Sequence, residues 1–527
     1  MTTIFHKLFL LVAAFLVATM SHAQVFQTNY QTELSASAWL NSANPTGLST
    51  FSSESKTLVE LYSDKQQGDF VNYYESNNSL SLGARSESIV RLNPKLVLSG
   101  KLNYLNFSGK NMGGATFLNP YYNPFNVVEY TLDDAGTKKS ESYSLEGGLS
   151  VALSEYWLVG GRIFYQTTGY FKTKDLRHTN DWLDLKTDLG IVRQLGRNSL
   201  GLSYHYRRTV ESISYQVVGT TDKEYNLLID YGLFFGKQER FGGTSGYTAG
   251  GSPMINDFHG IGLQFGTHFK SLELYNEIGI NLRQGYYGTK ASSTVLYTEH
   301  NGRELFYKGA FTLHKGKATH RLNVQFYQNK LSNKANSYRE ETASNGNTVV
   351  VYYGANQVLN RSTTQLLTEY RAELKKEGVK RWEIWANGNF INKDETATLY
   401  PEYRKQVLSL FSASLAIQRH FLKNKNQYSP YFQMQYGGGS GDKYKEGKYG
   451  SGESETKSVR LDDYLNREYE YLTSNRTSAL LGFRYTRTLH SAQRLHFDLS
   501  YQLTKASKVE YIGDTTGLFS VRLGCEF

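Results

Sequence analysis

The feature that most constrains this chain is a long, repeated alternation of apolar and charged side chains. In SLELYNEIGINLRQGYYG (Ser271–Gly288), Leu272, Leu274, Ile278, Ile280 and Leu282 share one face of an extended backbone. Glu273, Tyr275, Glu277, Asn281 and Arg283 share the other. A period of two over this length is a β-strand, because successive side chains point to opposite faces. RLHFDLSYQLTK sets Leu495, Phe497, Leu499, Tyr501 and Leu503 against His496, Asp498, Ser500 and Gln502. HRLNVQFYQNK sets Leu322, Val324 and Phe326 against Arg321, Asn323, Gln325 and Tyr327, and RWEIWANGNF is a weaker copy with Trp382, Ile384 and Ala386 on the apolar face. A sheet patterned in this way separates two unlike media.

The links between these segments give the topology. Short polar links occur at Leu92–Lys95, Leu153–Trp157, Leu195–Asn198, His268–Ser271, His314–Ala318, Lys375–Lys380, Leu422–Asn426 and Leu489–Gln493. Longer stretches rich in Gly, Asn and Ser separate the pairs, at Lys110–Lys139, Val217–Asn256, Leu331–Arg361 and Gly437–Tyr471. Short turns on one side and long loops on the other mark an outer-membrane barrel. The hairpins, one strand near Lys56–Ser63 and one at the C-terminus predict about 18 strands, with 16–18 as the range. Asp69–Leu92 reads either as one long strand or as a loop followed by a strand. The expected fold is all-β: a single transmembrane antiparallel β-barrel over residues 56–527, with short periplasmic turns and long extracellular loops.

The chain ends on GLFSVRLGCEF, where Phe519, Val521, Leu523, Cys525 and Phe527 alternate with Ser520, Arg522, Gly524 and Glu526. An unpaired backbone group in hydrocarbon costs several kcal/mol, so the last strand must pair with the first. At the other end, HKLFLLVAAFLVATMSHAQ has Lys7, an apolar run from Leu8 to Ala18, and small Ser21 and Ala23. This predicts a signal peptide over 1–23, then a periplasmic or lumen-inserted segment over 24–55. Beyond that run there is no apolar stretch of about 18 residues, which excludes helical spans. The mean hydropathy of −0.50 does not exclude a barrel, where only alternate residues meet lipid. With 41 Tyr, 28 Phe and only 7 Pro, the composition suits strands. Cys525 is the only cysteine, which excludes a disulfide framework and a thiolate metal site. The net charge of +10 is spread with both signs mixed, so no nucleic-acid partner is expected.

A C-terminal strand ending on Phe resembles the signature that bacterial outer-membrane barrels present to their insertion machinery. YFKTKDLRHTNDWLDLKTDLGI (Tyr170–Ile191), NSANPTGLSTF (Asn41–Phe51) and YGLFFGKQERF (Tyr231–Phe241) resemble an uncharacterised family of Bacteroidota outer-membrane beta-barrel proteins, over most of the mature chain. NPTGL is also similar to the Asn-Pro-Ala-Gly-Leu stretch near the start of FadL-type channels. These resemblances imply a fold and a location, the bacterial outer membrane with its lipid, and bring no substrate.

Two groups of residues are candidates for function. KDLRH gathers Lys174, Asp175, Arg177 and His178, either as a ligand or partner site at a strand end or as ion pairs stiffening an external loop; exposed pairs contribute little energy. The lumen face is expected to carry Glu273, Glu277, Arg283, Arg321, Glu383, Asp498, Arg522 and Glu526, with Glu369, Arg371, Glu373 and Arg484 beside them. They form either a selectivity ladder for a polar solute or a mutually paired lumen filling, and their mixed signs favour neither an anion nor a cation pore. The histidines are scattered and no serine motif accompanies them. GIGLQFG and GGGSG lack the context of a phosphate loop. No enzyme activity, cofactor or metal is expected. Tyr121-Tyr122, Tyr286-Tyr287 and Tyr352-Tyr353 read as interface girdles, or as stacking platforms where they fall in loops. The expected function is a channel or uptake component for a small solute. The alternatives are a non-conducting partner subunit of a TonB-dependent receptor or surface lipoprotein, and a FadL-like transporter of hydrophobic compounds.

Overall fold

The computed structural model describes residues 37–527, apart from 221, 244–245, 250, 292–293, 345, 454–455 and 490–492, together with residues 30, 31 and 34. The expected signal peptide lies outside the described residues.

Among the described residues, eighteen antiparallel strands, from Ser55–Gly68 to Thr515–Glu526, close into one barrel. The seam pairs Val59 with Cys525, Leu61 with Leu523 and Ser63 with Val521. Beyond the strand, the Phe527 N–H donates to the Thr57 carbonyl at 3.0 Å, and the Thr57 N–H returns a bond at 2.6 Å. The wall therefore has no free edge, as hydrocarbon requires.

Alternation along each strand divides lipid from lumen. On Leu272–Gly288, Ile278 and Leu282 are 59% and 54% exposed, while Glu277 and Arg283 are buried at 0% and 1%. Leu61, Leu145, Ile163, Leu202, Leu263, Leu415, Leu481 and Leu523 carry the same exposed apolar belt around the cylinder. A monomer in water rarely exposes more than a few hundred Å² of contiguous apolar surface. In a bilayer each such side chain gains about 1.5–3 kcal/mol instead.

All the turns at one end are short. At the other end the links are mostly longer, although 173–176, 343–347 and 400–401 are short there too. Two readings of the sequence are settled. Residues 69–77 are a loop, followed by strand Asn78–Asn93. Leu331–Arg361, expected as a loop, is instead the upper part of a hairpin between strands Ala318–Thr342 and Thr348–Lys376, of 25 and 29 residues. Spanning takes about 9–11 residues, so this hairpin projects well beyond the bilayer. The alternating pattern weakens there because neither face meets lipid.

The long loops fold back into the outer mouth. Ser458–Arg460, Phe235–Arg240, Asn226–Asp230 and Asn126–Glu129 form a separate four-stranded sheet, accompanied by helix Asp462–Thr473. This cap has cores of its own. One contains Phe117, Phe125, Tyr231, Phe235, Tyr247 and Tyr287; another contains Tyr73, Leu233, Phe234, Tyr464 and Leu465. Tyr287 therefore packs in the cap rather than in a girdle. Tyr352 and Tyr353 are exposed on the projecting hairpin.

Candidate functional site: a lumen closed from both ends

The inner closure is built by Asn44. Its side chain accepts from the Thr46 N–H at 3.1 Å and caps the short 3-10 helix Pro45–Thr50. Asparagine before a helix and proline at its first turn are favoured because they satisfy or remove unpaired N–H groups. The Asn44 amide also donates to the Ile191 carbonyl at 3.3 Å, the Leu202 carbonyl at 3.1 Å and Gln264 Oε1 at 3.0 Å, all on the barrel wall. Ala43 is held on both sides. Its N–H donates to Glu277 at 3.1 Å and its carbonyl accepts from Arg162 at 3.1 Å. The wall makes room with glycine: a Cβ at Gly190 would lie 1.9 Å from Asn44 Oδ1, and one at Gly160 would lie 2.8 Å from the Thr46 nitrogen. Toward the short-turn mouth, a vestibule of about 730 Å³ opens beside Trp39, Phe51 and Tyr275.

The outer closure is anchored by wall cations. Arg283 donates to the Tyr122 carbonyl at 3.0 Å and to Asn256, with its guanidinium 4.6 Å from the Tyr122 ring centre. Arg361 donates to the Tyr121 and Asn123 carbonyls at 2.9 and 3.2 Å, and Lys138 to the Ala115 carbonyl at 2.7 Å. In return the Leu118 N–H donates to Glu211 at 2.7 Å, and Lys172 pairs with Glu129. The loop of residues 113–135 thus lies across the lumen, held through its backbone. Tyr121 and Tyr122, read from the sequence as girdle residues or as loop stacking platforms, belong to this loop.

Between the closures, a chamber of about 330 Å³ is lined by Tyr121, Tyr122, Trp182, Tyr327, Arg207 and Lys393, among others. Arg207 makes a two-pronged pair with Asp184 at 2.8 Å for each bond. Lys393 and Arg361 share Glu395 at 2.9 and 3.1 Å. Rings beside cations can hold a flat or polar solute by stacking and by cation–π attraction.

The cap also carries a titrating group. The Asp230 carboxylate accepts from the Gly232 and Phe235 N–H groups at 2.9 and 3.2 Å. Burial, and then the neighbouring Glu395 and Glu468, push it up to about 7. A raised carboxyl makes the folded cap hold its proton more tightly than the unfolded chain does. Stability is therefore full below the ordinary carboxyl range and falls as pH rises toward 7. Protection of residues 217–252 from protease is expected to decrease between about pH 4 and about pH 7, by up to roughly 3 kcal/mol of local stability. Asp230→Asn is expected to flatten that profile; an unchanged slope in the variant would assign the pH dependence elsewhere.

A family described as being of unknown function, DUF6850, matches residues 45–527. The chain belongs to the DUF6850 family. No curated protein matches it in sequence. Among solved structures, BauA, the ferric preacinetobactin receptor from Acinetobacter baumannii, is similar at 8% identity and a TM-score of 0.42, over 90% of this chain and 80% of that one. A mutant of the ferric enterobactin receptor PfeA from Pseudomonas aeruginosa is similar at 10% identity and 0.39, over 90% and 81%. OpdK from Pseudomonas aeruginosa, solved with vanillate, is similar at 8% and 0.36, over 90% and 99%.

In this DUF6850 barrel the residues singled out from the sequence take several distinct places. Glu277 and Arg283 hold the two inserted segments. Arg321, Glu383, Asp498 and Arg522 pair across neighbouring strands: Arg321 with Glu373 at 2.6 Å, Glu383 with Arg371 and with His420 at 2.9 Å, Asp498 with Arg484 at 2.9 Å, and Arg522 with Glu60 at 3.8 Å. Glu526 accepts from the Tyr30 N–H at 3.3 Å, and Glu273 stands half-exposed at the inner mouth, 3.7 Å from His314. The KDLRH residues do not converge. Lys174 clamps the Asp133 and Ala135 carbonyls, Arg177 pairs with Asp175 at 2.8 Å, and His178 is buried against Asn180 and Tyr170. Asn44, Gly190, Arg361 and Arg404 were missed. The Asn-Pro-Thr-Gly run was the available signal for the first, as a helix start; the others meet their partners only across the folded lumen.

Proposed function

We propose that the protein is a bacterial outer-membrane channel or uptake component for a small polar solute, held closed by its own N-terminal segment and outer loops. The observation that carries this reading is how the obstruction is attached. A wide barrel has a polar interior able to hold water. Beside apolar contacts such as Phe51 with Ile89 and Val97 and Phe125 with Tyr287, the inserted segments meet that interior through many hydrogen bonds and ion pairs, which water can replace at a net cost of about 0.5–1.5 kcal/mol each. Such contacts suit parts that move. Strand Thr515–Glu526, ending at Phe527, is proposed as the segment read by the barrel-insertion machinery.

Planar-bilayer recordings test the reading. The native protein is expected to be nearly silent, and a variant loosened at both ends is expected to conduct. A doubly loosened barrel that inserts, keeps its heat-modifiable gel shift and never conducts would sink it. One observation favours a second reading as a partner subunit of a TonB-dependent receptor or surface lipoprotein: Tyr352 and Tyr353 stand exposed on the projecting hairpin, at 44% and 68%. Co-purification in mild detergent, lost when both tyrosines become serine, would support it. A FadL-like route for hydrophobic compounds draws no support from a lumen wall so rich in paired charges.

A further inference from the structure

We propose that the outer wall carries a binding site for a phosphorylated lipid headgroup, centred on Arg303 and Lys330. The two residues stand directly opposite each other on adjacent strands. Both are exposed, while Glu304 and Leu331, next to each along the chain, are buried on the lumen side at 2% and 4%. Side chains opposed in this way have Cβ atoms about 4.5–5.5 Å apart, and like charges there repel. Among the described residues neither cation is in an ion pair. The next acid in the same row, Asp394, lies beyond Ser362 and is taken by Lys405 at 3.4 Å. The pair lacks an anion.

Its height on the wall says which anion. Across these strands Phe326, Leu366, Phe390 and Phe411 form one outward row. The next row toward the long loops is Gln328, Thr364, Asn392 and Ser409, and the row after that holds Lys330. Rows on one face are about 7 Å apart along the strand, so the cations stand between the Phe326–Phe411 row and outward Tyr286 and Tyr403, at headgroup level. On their other flank Leu282 shares their row and is 54% exposed. A groove of about 630 Å³ passes over the pair toward Ser332, Ser362 and Lys405. Exposed Leu282 is part of its lining and the apolar rows lie below the pair, so an amphiphile can set its phosphate on the cations and its acyl chains on the belt below. A free phosphate would gain only the first contact. This placement favours a lipid of the leaflet on the long-loop side.

The experiment uses the full-length barrel and a lipid A-type phosphorylated glycolipid, its dephosphorylated form, and inorganic phosphate as probes. Native mass spectrometry counts retained lipid. The native barrel is expected to retain the phosphorylated form and release the dephosphorylated one. Arg303→Ser with Lys330→Ser is expected to weaken retention about thirtyfold, from the loss of two surface cations. Lys139→Ser, an exposed cation elsewhere on the wall, is expected to change nothing. The heat-modifiable shift verifies that each variant is folded. Equal retention by the double variant, or of the dephosphorylated lipid, overturns the site. Inorganic phosphate competing at concentrations comparable to the lipid overturns the lipid assignment.

Discussion

Arg404→Ala is expected to release the outer cap while leaving the barrel closed. Arg404 lies on wall strand Glu402–Arg419 and is 0% exposed. Its guanidinium donates to Glu446 at 2.7 Å, to the Leu233 carbonyl at 3.2 Å and to Asp462 at 2.8 Å. One side chain thus ties the Asn226–Arg240 hairpin, the start of the helix and the 442–475 loop to the wall. It also lies 4.2 Å from the Tyr444 ring centre. Removing one partner of a fully buried pair costs about 3–5 kcal/mol. Glu446 and Asp462 stay partly exposed, at 31% and 50%, so about 2–3 kcal/mol is expected here. Limited proteolysis of the folded variant should cut within 217–252 and 442–475, with the gel shift of the barrel unchanged. Arg404→Lys should lie between, because an ammonium cannot reproduce a fork that reaches three acceptors. Undiminished protection in the alanine variant would remove Arg404 from this role.

Gly190→Val is expected to expel the inner plug. A Cβ there would meet Asn44 Oδ1 at 1.9 Å and Pro45 Cδ at 3.0 Å. Asn44 cannot step aside cheaply, since its side chain is held by Thr46, Ile191, Leu202 and Gln264. The strand itself accepts valine readily. The clash therefore falls on the plug, and losing the Asn44 contacts should cost it about 2–5 kcal/mol. Cysteines placed at Ser42 or Ser49 should become labelled from the short-turn side at least tenfold faster. Gly161→Val is the control: it faces outward, with only Leu189 near, at 3.8 Å. Each end still blocks the lumen when the other is open, so conductance should rise sharply only when Gly190→Val and Arg404→Ala are combined. Conductance in either single variant alone would mean that one closure leaks.

The legibility of this protein divides along the barrel wall. Leu274, Phe497 and Val521 could be assigned to the outer face, and Glu277 and Asp498 to the inner, from alternation alone. Strand neighbours in sequence are neighbours in the sheet, so local pattern and global position agree. The cap was not legible. Asn126–Glu129 pairs with Asn226–Asp230, about a hundred residues away, and these short runs announce neither their partner nor their place in the lumen. Arg283 was correctly placed on the inner face, yet nothing near it in the chain names Tyr122 as the group it holds.

By itself, the sequence determined the closed wall: a strand whose two faces meet oil and water has only one arrangement that leaves no backbone group unpaired in hydrocarbon. Only the tertiary structure decided what that wall encloses. Filling a lumen depends on contacts between segments far apart in the chain, where loop closure and the matching of individual donors to acceptors select among many arrangements that periodicity leaves equivalent.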